Sequence, residues 1–157
     1  NARSRTHGKA GNIMIDQLTV YLENEKGHLA RLCRTLGESG VQMHLLMLAD
    51  TPQYGIARII CDRPAHAQNL LLQAGFKARL TPVAAVAVDN APGGLAALLD
   101  AFDQSQINVE YAYCAEISKD RKKAIDILKI DPIDKARAVI ERAGFSIIDP
   151  RELYELD

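Results

Sequence analysis

The chain has little net charge, few cysteines and no long apolar run, and each shortage narrows what it can do. Nineteen basic and twenty acidic residues are interspersed over 157 positions, which argues against the broad basic footprint of a nucleic-acid binder. Cys33, Cys61 and Cys114 are an odd number of cysteines, widely separated. They read as buried thiols of a reducing cytosol, and they lack the spacing of a zinc site or a disulfide framework. The longest apolar stretch falls far short of a membrane span, and no secretory signal stands out. The expected location is therefore cytoplasmic, with neither membrane nor nucleic acid as partner.

Catalytic constellations are missing as well. There is no Walker-type glycine loop, no G-x-S-x-G elbow, no H-E-x-x-H and no cysteine grouped with histidine. His7, His28, His44 and His66 are scattered and read as surface or packing histidines. A metal site would need His28, His44 and Asp50 to converge without a recognisable ligand spacing. The expectation is a protein that is not an enzyme and holds neither metal nor cofactor.

What the chain does have is a duplication. Gly27, Leu29, Ala30, Leu32, Cys33 and Leu36 recur 66 positions later as Gly93, Leu95, Ala96, Leu98, Leu99 and Phe102. Further on the offset is 69, and Asp62, Ala67, Leu70, Leu71 and Ala74-Gly75-Phe76 meet Asp131, Ala136, Val139, Ile140 and Ala143-Gly144-Phe145. The chain is two copies of one module of roughly 65 residues, each too small to bury much surface unaided. Residues 14–81 form the first module and residues 82–157 the second, which ends in a short capped helix from Asp149. Residues 1–13, with Arg3, Arg5, His7 and Lys9, lie outside both copies. They read as a disordered or vector-derived extension before Met14, with a basic nucleic-acid arm as the other reading.

Periodicity orders the elements. Leu18, Val20 and Leu22 alternate with polar neighbours as a strand, and Leu29, Leu32, Cys33 and Leu36 mark one helical face ending at Gly40. Val41 to Leu48 and Ile56 to Cys61 read as strands around the loop Asp50 to Gly55. A helix follows Pro64, and a fourth strand starts at Phe76. The second copy repeats this βαββαβ order, with Val83 to Val88 as its first strand. Such a module folds most simply as a ferredoxin-like α+β unit, an antiparallel sheet with both helices on one face. The reverse face then carries Tyr21, Leu46, Ile56 and Ile60 with Arg58, and Ile125 and Ile127 beside Lys129. Exposed apolar sheet surface marks a partner, most simply a second chain, so a homodimer is expected.

The distinctive local feature is the turn between first strand and first helix: Glu23-Asn24-Glu25-Lys26-Gly27-His28-Leu29 in one copy, Asp89-Asn90-Ala91-Pro92-Gly93-Gly94-Leu95 in the other. Glycine permits a tight turn with close backbone approach, and the helix start offers free N–H groups to a carboxylate. Asparagine adds an acceptor and two donors. By itself the pattern also fits a simple capped turn.

Inside a duplicated βαββαβ frame, Asn24 to Leu29 with Gly40-Val41-Gln42-Met43, and Asn90 to Leu95 with Ile107-Asn108-Val109, resemble the ACT domain, a small-molecule regulatory module. The run Ala49 to Ile56 is similar to the matching loop of stand-alone tandem ACT proteins. The resemblance implies an amino-acid-binding regulatory protein, its ligand held where two modules meet, with a metabolic enzyme as a possible partner. Carried across, Asn24 and Gln42 in copy one, and Asn90 and Asn108 in copy two, contact ligand. Copy one departs from the pattern at Gln42 and at Lys26, which stands where proline is usual, while Asp50, Gln53, Tyr54 and Gly55 supply groups nearby. The implied arrangement joins the modules edge to edge into one eight-stranded sheet. The ligand's carboxylate would lie on the helix starts at Gly27-His28 and Gly93-Gly94, its ammonium on carbonyls or Asp50, and its side chain over Leu29, Ile56 or Leu95. Tyr111 and Tyr113 align with Leu45 and Met47 and are read as core or as pocket lining. The competing readings are a ligand-free interaction module that oligomerises through its sheets, and a small enzyme or nucleic-acid binder on the same fold.

Overall fold

A computed structural model describes residues 14–157; the expected extension lies outside the described residues. The elements are β1 (Ile15–Glu23), α1 (His28–Glu38), β2 (Met43–Asp50), β3 (Tyr54–Cys61), α2 (Pro64–Gln73), β4 (Lys77–Asp89), α3 (Gly94–Gln104), β5 (Asn108–Ile117), β6 (Lys123–Asp131), α4 (Ile133–Arg142) and β7 (Ser146–Ile147), then a 3-10 turn at Pro150–Glu152. The two apolar faces close as their periodicity predicts. Leu18, Val20, Leu22, Ala57 and Ile59 bury against Leu32 and Leu36 of α1 and Ala67 and Leu71 of α2. Ala84, Val86, Val88 and Leu128 bury against Leu98, Phe102, Ala136 and Ile140 in the second copy.

The strand count departs from expectation. Among the described residues all pairings are antiparallel, and the order is β2-β3-β1-β4-β6-β5 with β7 also on β4, seven strands. Eight were expected, but the last strand of copy one and the first of copy two are a single 13-residue strand, β4. Its first half, Lys77–Val83, pairs with β1 and its second half, Ala84–Asp89, with β6. No turn separates the halves: Leu80-Thr81-Pro82-Val83 continue one strand.

The modules do not extend side by side as one flat sheet. Arg58 of β3 stacks on Tyr111 of β5 with its guanidinium 3.7 Å from the ring centroid, although three strands stand between them in the sheet order. In a flat sheet those strands would lie about 19 Å apart. The sheet therefore folds over β4, and its two reverse faces pack together. Ile15, Ile60, Val83, Ala85, Ile127 and Tyr154 form this third core, with Leu45, Tyr113 and Ile125 at its margin. Helices lie outside and two sheets inside. The expectation that a second chain covers the reverse face is thus corrected: the other half of the same chain covers it.

Leu46 is a further correction. A register shift between Met43 and Leu45 lets Leu45 pair with Ile60 and Leu46 with Ile59. That bulge turns Leu46 to the helix side, where it is 38% exposed and Leu48 is 51% exposed. The thiols differ too: Cys61 is buried, Cys33 half-buried and Cys114 exposed.

At the far end the chain crosses back onto the first copy. Tyr154 is buried and its hydroxyl accepts the Asp16 N–H at 3.0 Å. Asp157 accepts the N–H groups of Ala65 and His66 at 2.8 and 2.9 Å, supplying the cap that Arg63 does not give α2. Asp62 accepts the Glu155 N–H at 2.6 Å.

Candidate functional site

Both strand-to-helix turns are built on a glycine in the left-handed region, Gly27 at φ 86° and Gly93 at φ 83°, and neither helix start has a side-chain cap. A Cβ at either glycine would meet open space, so within the chain it is the backbone angle that requires glycine there. Close approach applies one residue later in copy two: a Cβ on Gly94 would overlap the carbonyl oxygen of Asp89. Copy one carries His28 at that position. Its Nδ1 accepts the Glu23 N–H at 3.0 Å and its ring stacks on Phe76 at 5.1 Å.

In front of each turn lies a pocket of about 410 Å³. The copy-one pocket is lined by Leu22, Asn24, His28, Leu29, Leu48, Asp50, Gln53, Tyr54 and Gly55, among others. The copy-two pocket is lined by Val88, Asp89, Asn90, Ala91, Pro92, Leu95, Cys114, Ala124 and Asp126. Leu22, Asn24, Leu29, Leu48 and Gly55 are the repeat partners of Val88, Asn90, Leu95, Cys114 and Ala124. One pocket occurs twice.

The expected site residues thus divide. Asn24, His28, Leu29, Asp50, Gln53, Tyr54 and Gly55 come together in copy one, as Asn90 and Leu95 do in copy two. Gly93 and Gly94 form the turn behind the copy-two pocket. Lys26 and Gly27 face a neighbouring cavity of about 810 Å³ with His28, Tyr54, Arg31, Arg34, Phe76 and Lys77. Ile56 pairs with Tyr21 and Ala49 on the reverse side of β3. Gln42 and Asn108 sit at the opposite ends of their modules. Asn108 opposes Asp131, eight residues along β6 from Lys123, the partner of Asp89. Gln42 precedes Met43, which opposes Cys61, whereas Glu23 opposes Tyr54. Within one chain neither reaches its module's asparagine turn.

The asparagines are held differently. Asn24 is exposed. Asn90 donates its amide N–H to the Arg121 carbonyl at 2.8 Å, and its backbone N–H goes to Lys122 at 2.9 Å. That supporting loop is itself braced by Asp120, which accepts the Ser118 hydroxyl at 2.6 Å and the Lys122 N–H at 3.0 Å. These bonds, the Ser118 one foremost, hold the Asp120 carboxyl below the usual carboxylate range.

Sequence reasoning missed Asp126. It stands in the helix-facing row of β6, opposite Val86 and Cys114, and is only 5% exposed. Burial pushes its carboxyl up. The signal was in the repeat, where Ala57 occupies the matching place. The large cavity was missed as well, because only the tertiary fold brings Lys77 of β4 beside Arg31 and Arg34 of α1. Arg31 lies over the Phe76 ring at 4.0 Å and donates to the Ala74 carbonyl at 3.0 Å. Tyr111 and Tyr113 resolve as inter-sheet groups: both hydroxyls bond Gln17, at 2.9 and 2.6 Å.

Among the described residues no group of three or more His, Cys, Asp or Glu is placed to hold a metal ion. No helix among them is long and apolar enough to cross a membrane.

Comparison with known proteins fits this architecture. A family profile described as an ACT domain pair matches residues 13–157. No curated protein matches the chain in sequence. A solved structure of a Bacteroides thetaiotaomicron protein superimposes with a TM-score of 0.82 at 25% identity, over 92% of this chain and 98% of that one. The regulatory subunit of aspartate kinase from Thermus thermophilus gives 0.57 at 14% identity, over 83% and 94% of the two chains. Its counterpart from Thermus flavus gives 0.58 at 19%, over 82% and 91%.

Proposed function

The chain belongs to the ACT domain pair family, and on that premise we propose that it is a non-catalytic regulatory protein that binds a free amino acid in its repeat-equivalent turn pockets. The observation that carries this reading is the doubled pocket: two spaces of about 410 Å³, each closed by an asparagine turn, an uncapped helix start and an apolar floor. A bare helix start suits a carboxylate, the asparagine supplies donors and an acceptor, and Leu29 or Leu95 gives a ligand side chain an apolar contact. Together these groups support the reading of a site that holds a small zwitterion.

Each pocket opens beside an outer strand, β2 or β5, and these strands end the sheet order. Leu46 and Leu48 on β2 stay exposed on the helix side. A second copy paired along this edge would cover them and bring the far end of its own β2, with Gln42, towards the first copy's turn. In such a homodimer the ligand sits at the junction, and binding favours the paired form by its differential affinity alone. A metabolic enzyme that senses the paired form would then be regulated without any chemistry in this chain. The same exposed edge also favours a second reading, an interaction module that pairs without ligand.

A thermal-shift screen against the twenty amino acids, followed by calorimetry, separates the two. A ligand at a hundred times its dissociation constant adds about 2.7 kcal/mol of stability, so a selective hit is expected. Asn24→Ala together with Asn90→Ala should weaken that hit while the fold survives. No shift with any amino acid would leave the ligand-free module.

A further inference from the structure

The copy-two pocket contains a charge that copy one does not. At Ala57, the matching place in copy one, the side chain is an apolar methyl at 0% exposure, whereas copy two places a carboxylate there at 5% exposure. A buried carboxylate is costly unless paired. Asp126 makes no hydrogen bond or ion pair among the described residues, and neither bonds nor charges offset its burial. Its carboxylate faces the copy-two pocket, and no lysine, arginine or histidine shares that lining. The other acid there, Asp89, is already matched by Lys123 at 2.7 Å. The pocket therefore holds one nearly buried carboxylate without a cationic partner, beside an Asn90 that commits one of its two amide N–H groups to Arg121.

We propose that Asp126 is the counter-ion for a primary ammonium group, so that the copy-two pocket selects amine-bearing ligands while the uncapped start of α3 receives their carboxylate. This deepens the amino-acid reading above and rests on it for the carboxylate end alone; the ammonium contact stands on Asp126. The two halves of the chain are then chemically unequal. Copy one offers a ligand the exposed Asp50, and copy two a nearly buried carboxylate whose interaction with a cation is less screened by water. Ligands that lack the amine are expected to discriminate between the halves.

The test uses the full chain. Propylammonium chloride, sodium propionate and the twenty amino acids are titrated at constant ionic strength. The Asp126 side-chain carboxyl carbon is followed by NMR and assigned by its loss in Asp126→Asn. Propylammonium is expected to move that resonance saturably and propionate to leave it in place. Asp126→Asn is expected to weaken any amino-acid hit in this pocket by about tenfold or more, in keeping with a lost charge-assisted bond, and to remove one site from the calorimetric stoichiometry. Asp126→Ala guards against a rescuing amide. An Asp126 resonance unmoved by propylammonium and by every amino acid overturns the proposal, as does wild-type affinity and stoichiometry in both variants. An amino acid that binds while Asp126 stays silent sinks this inference and leaves the regulatory reading intact. A propylammonium response with no amino acid bound in either half does the reverse.

Discussion

Gln17 is a buried polar tie between the two halves of the molecule, and its removal has a calculable effect. The side chain is fully buried. Its amide donates to Tyr111 Oη at 2.9 Å and Thr19 Oγ1 at 3.0 Å, and its carbonyl accepts from Tyr113 Oη at 2.6 Å. Thr19 also bonds Thr81 at 2.8 Å, so Gln17→Leu leaves it a partner. The two tyrosines have no such reserve. Each net hydrogen bond is worth about 1 kcal/mol, and an orphaned buried hydroxyl costs about 1–3 kcal/mol. Both tyrosines are only half-buried, which keeps each near the low end of that range. The expected loss is about 2–4 kcal/mol, or roughly 5–15 °C in Tm for a chain of this size. Circular-dichroism melts and urea unfolding measure it. The control is Gln17→Leu with Tyr111→Phe and Tyr113→Phe, which removes every orphaned group and should recover most of the loss. A single variant within about 0.5 kcal/mol of wild type, the usual spread for surface changes, would refute the reasoning. So would a triple variant no more stable than the single one.

Three further outcomes are expected. Because burial raises the Asp126 carboxyl above its ordinary value of 3.8, the native state holds that proton more tightly than the unfolded chain, and stability falls as pH rises through this range. Unliganded Asp126→Asn should therefore melt above wild type at neutral pH, with the gap closing under acid; equal melting points at pH 7 would contradict this. Asp62 has the opposite sign. The Glu155 N–H, followed by His44, holds its carboxyl below the ordinary value, so its contribution is present at neutral pH and lost as pH falls through that lowered pKa. Hydrogen exchange in residues 150–157 should accelerate there, and in Asp62→Asn already at neutral pH. Finally, Gly94→Ala drives a Cβ into the Asp89 backbone and should cost about 1–3 kcal/mol, the range for overpacking. It should also abolish copy-two binding while copy one still binds, as separate calorimetric sites would report.

The pockets were legible wherever the repeat could be used. Asn24 and Asn90, Leu29 and Leu95 were found because duplication gives each position a second copy to be compared with. Asp126 could have been found the same way, since a carboxylate replaces alanine in an otherwise apolar strand row. Gln42 and Asn108 came from the family resemblance alone. Their distance from the asparagine turns follows from antiparallel pairing, which sends the start of β2 or β5 to the end of the module opposite the turn. The basic cavity around Arg31, Arg34 and Lys77 had no sequence signal, because the helical spacing that joins Arg31 to Arg34 does not extend to Lys77 on β4.

Local pattern by itself determined the elements, their βαββαβ order and the helix-facing cores, since a 3.6-residue or two-residue period commits each side chain to a face before any long-range contact exists. Tertiary structure alone decided what covers the other face. Alternation across Leu80 to Val83 is equally consistent with two strands or one, and a flat or a folded sheet presents the same odd and even residues. Only the closure of Ile15, Ile60 and Ile127 on one another, with Gln17 bonded to Tyr111 and Tyr113 and Arg58 on Tyr111, selects one continuous β4 and a sheet folded back on itself. Those contacts join residues on opposite sides of the β4 fold, and no local period carries information over that span.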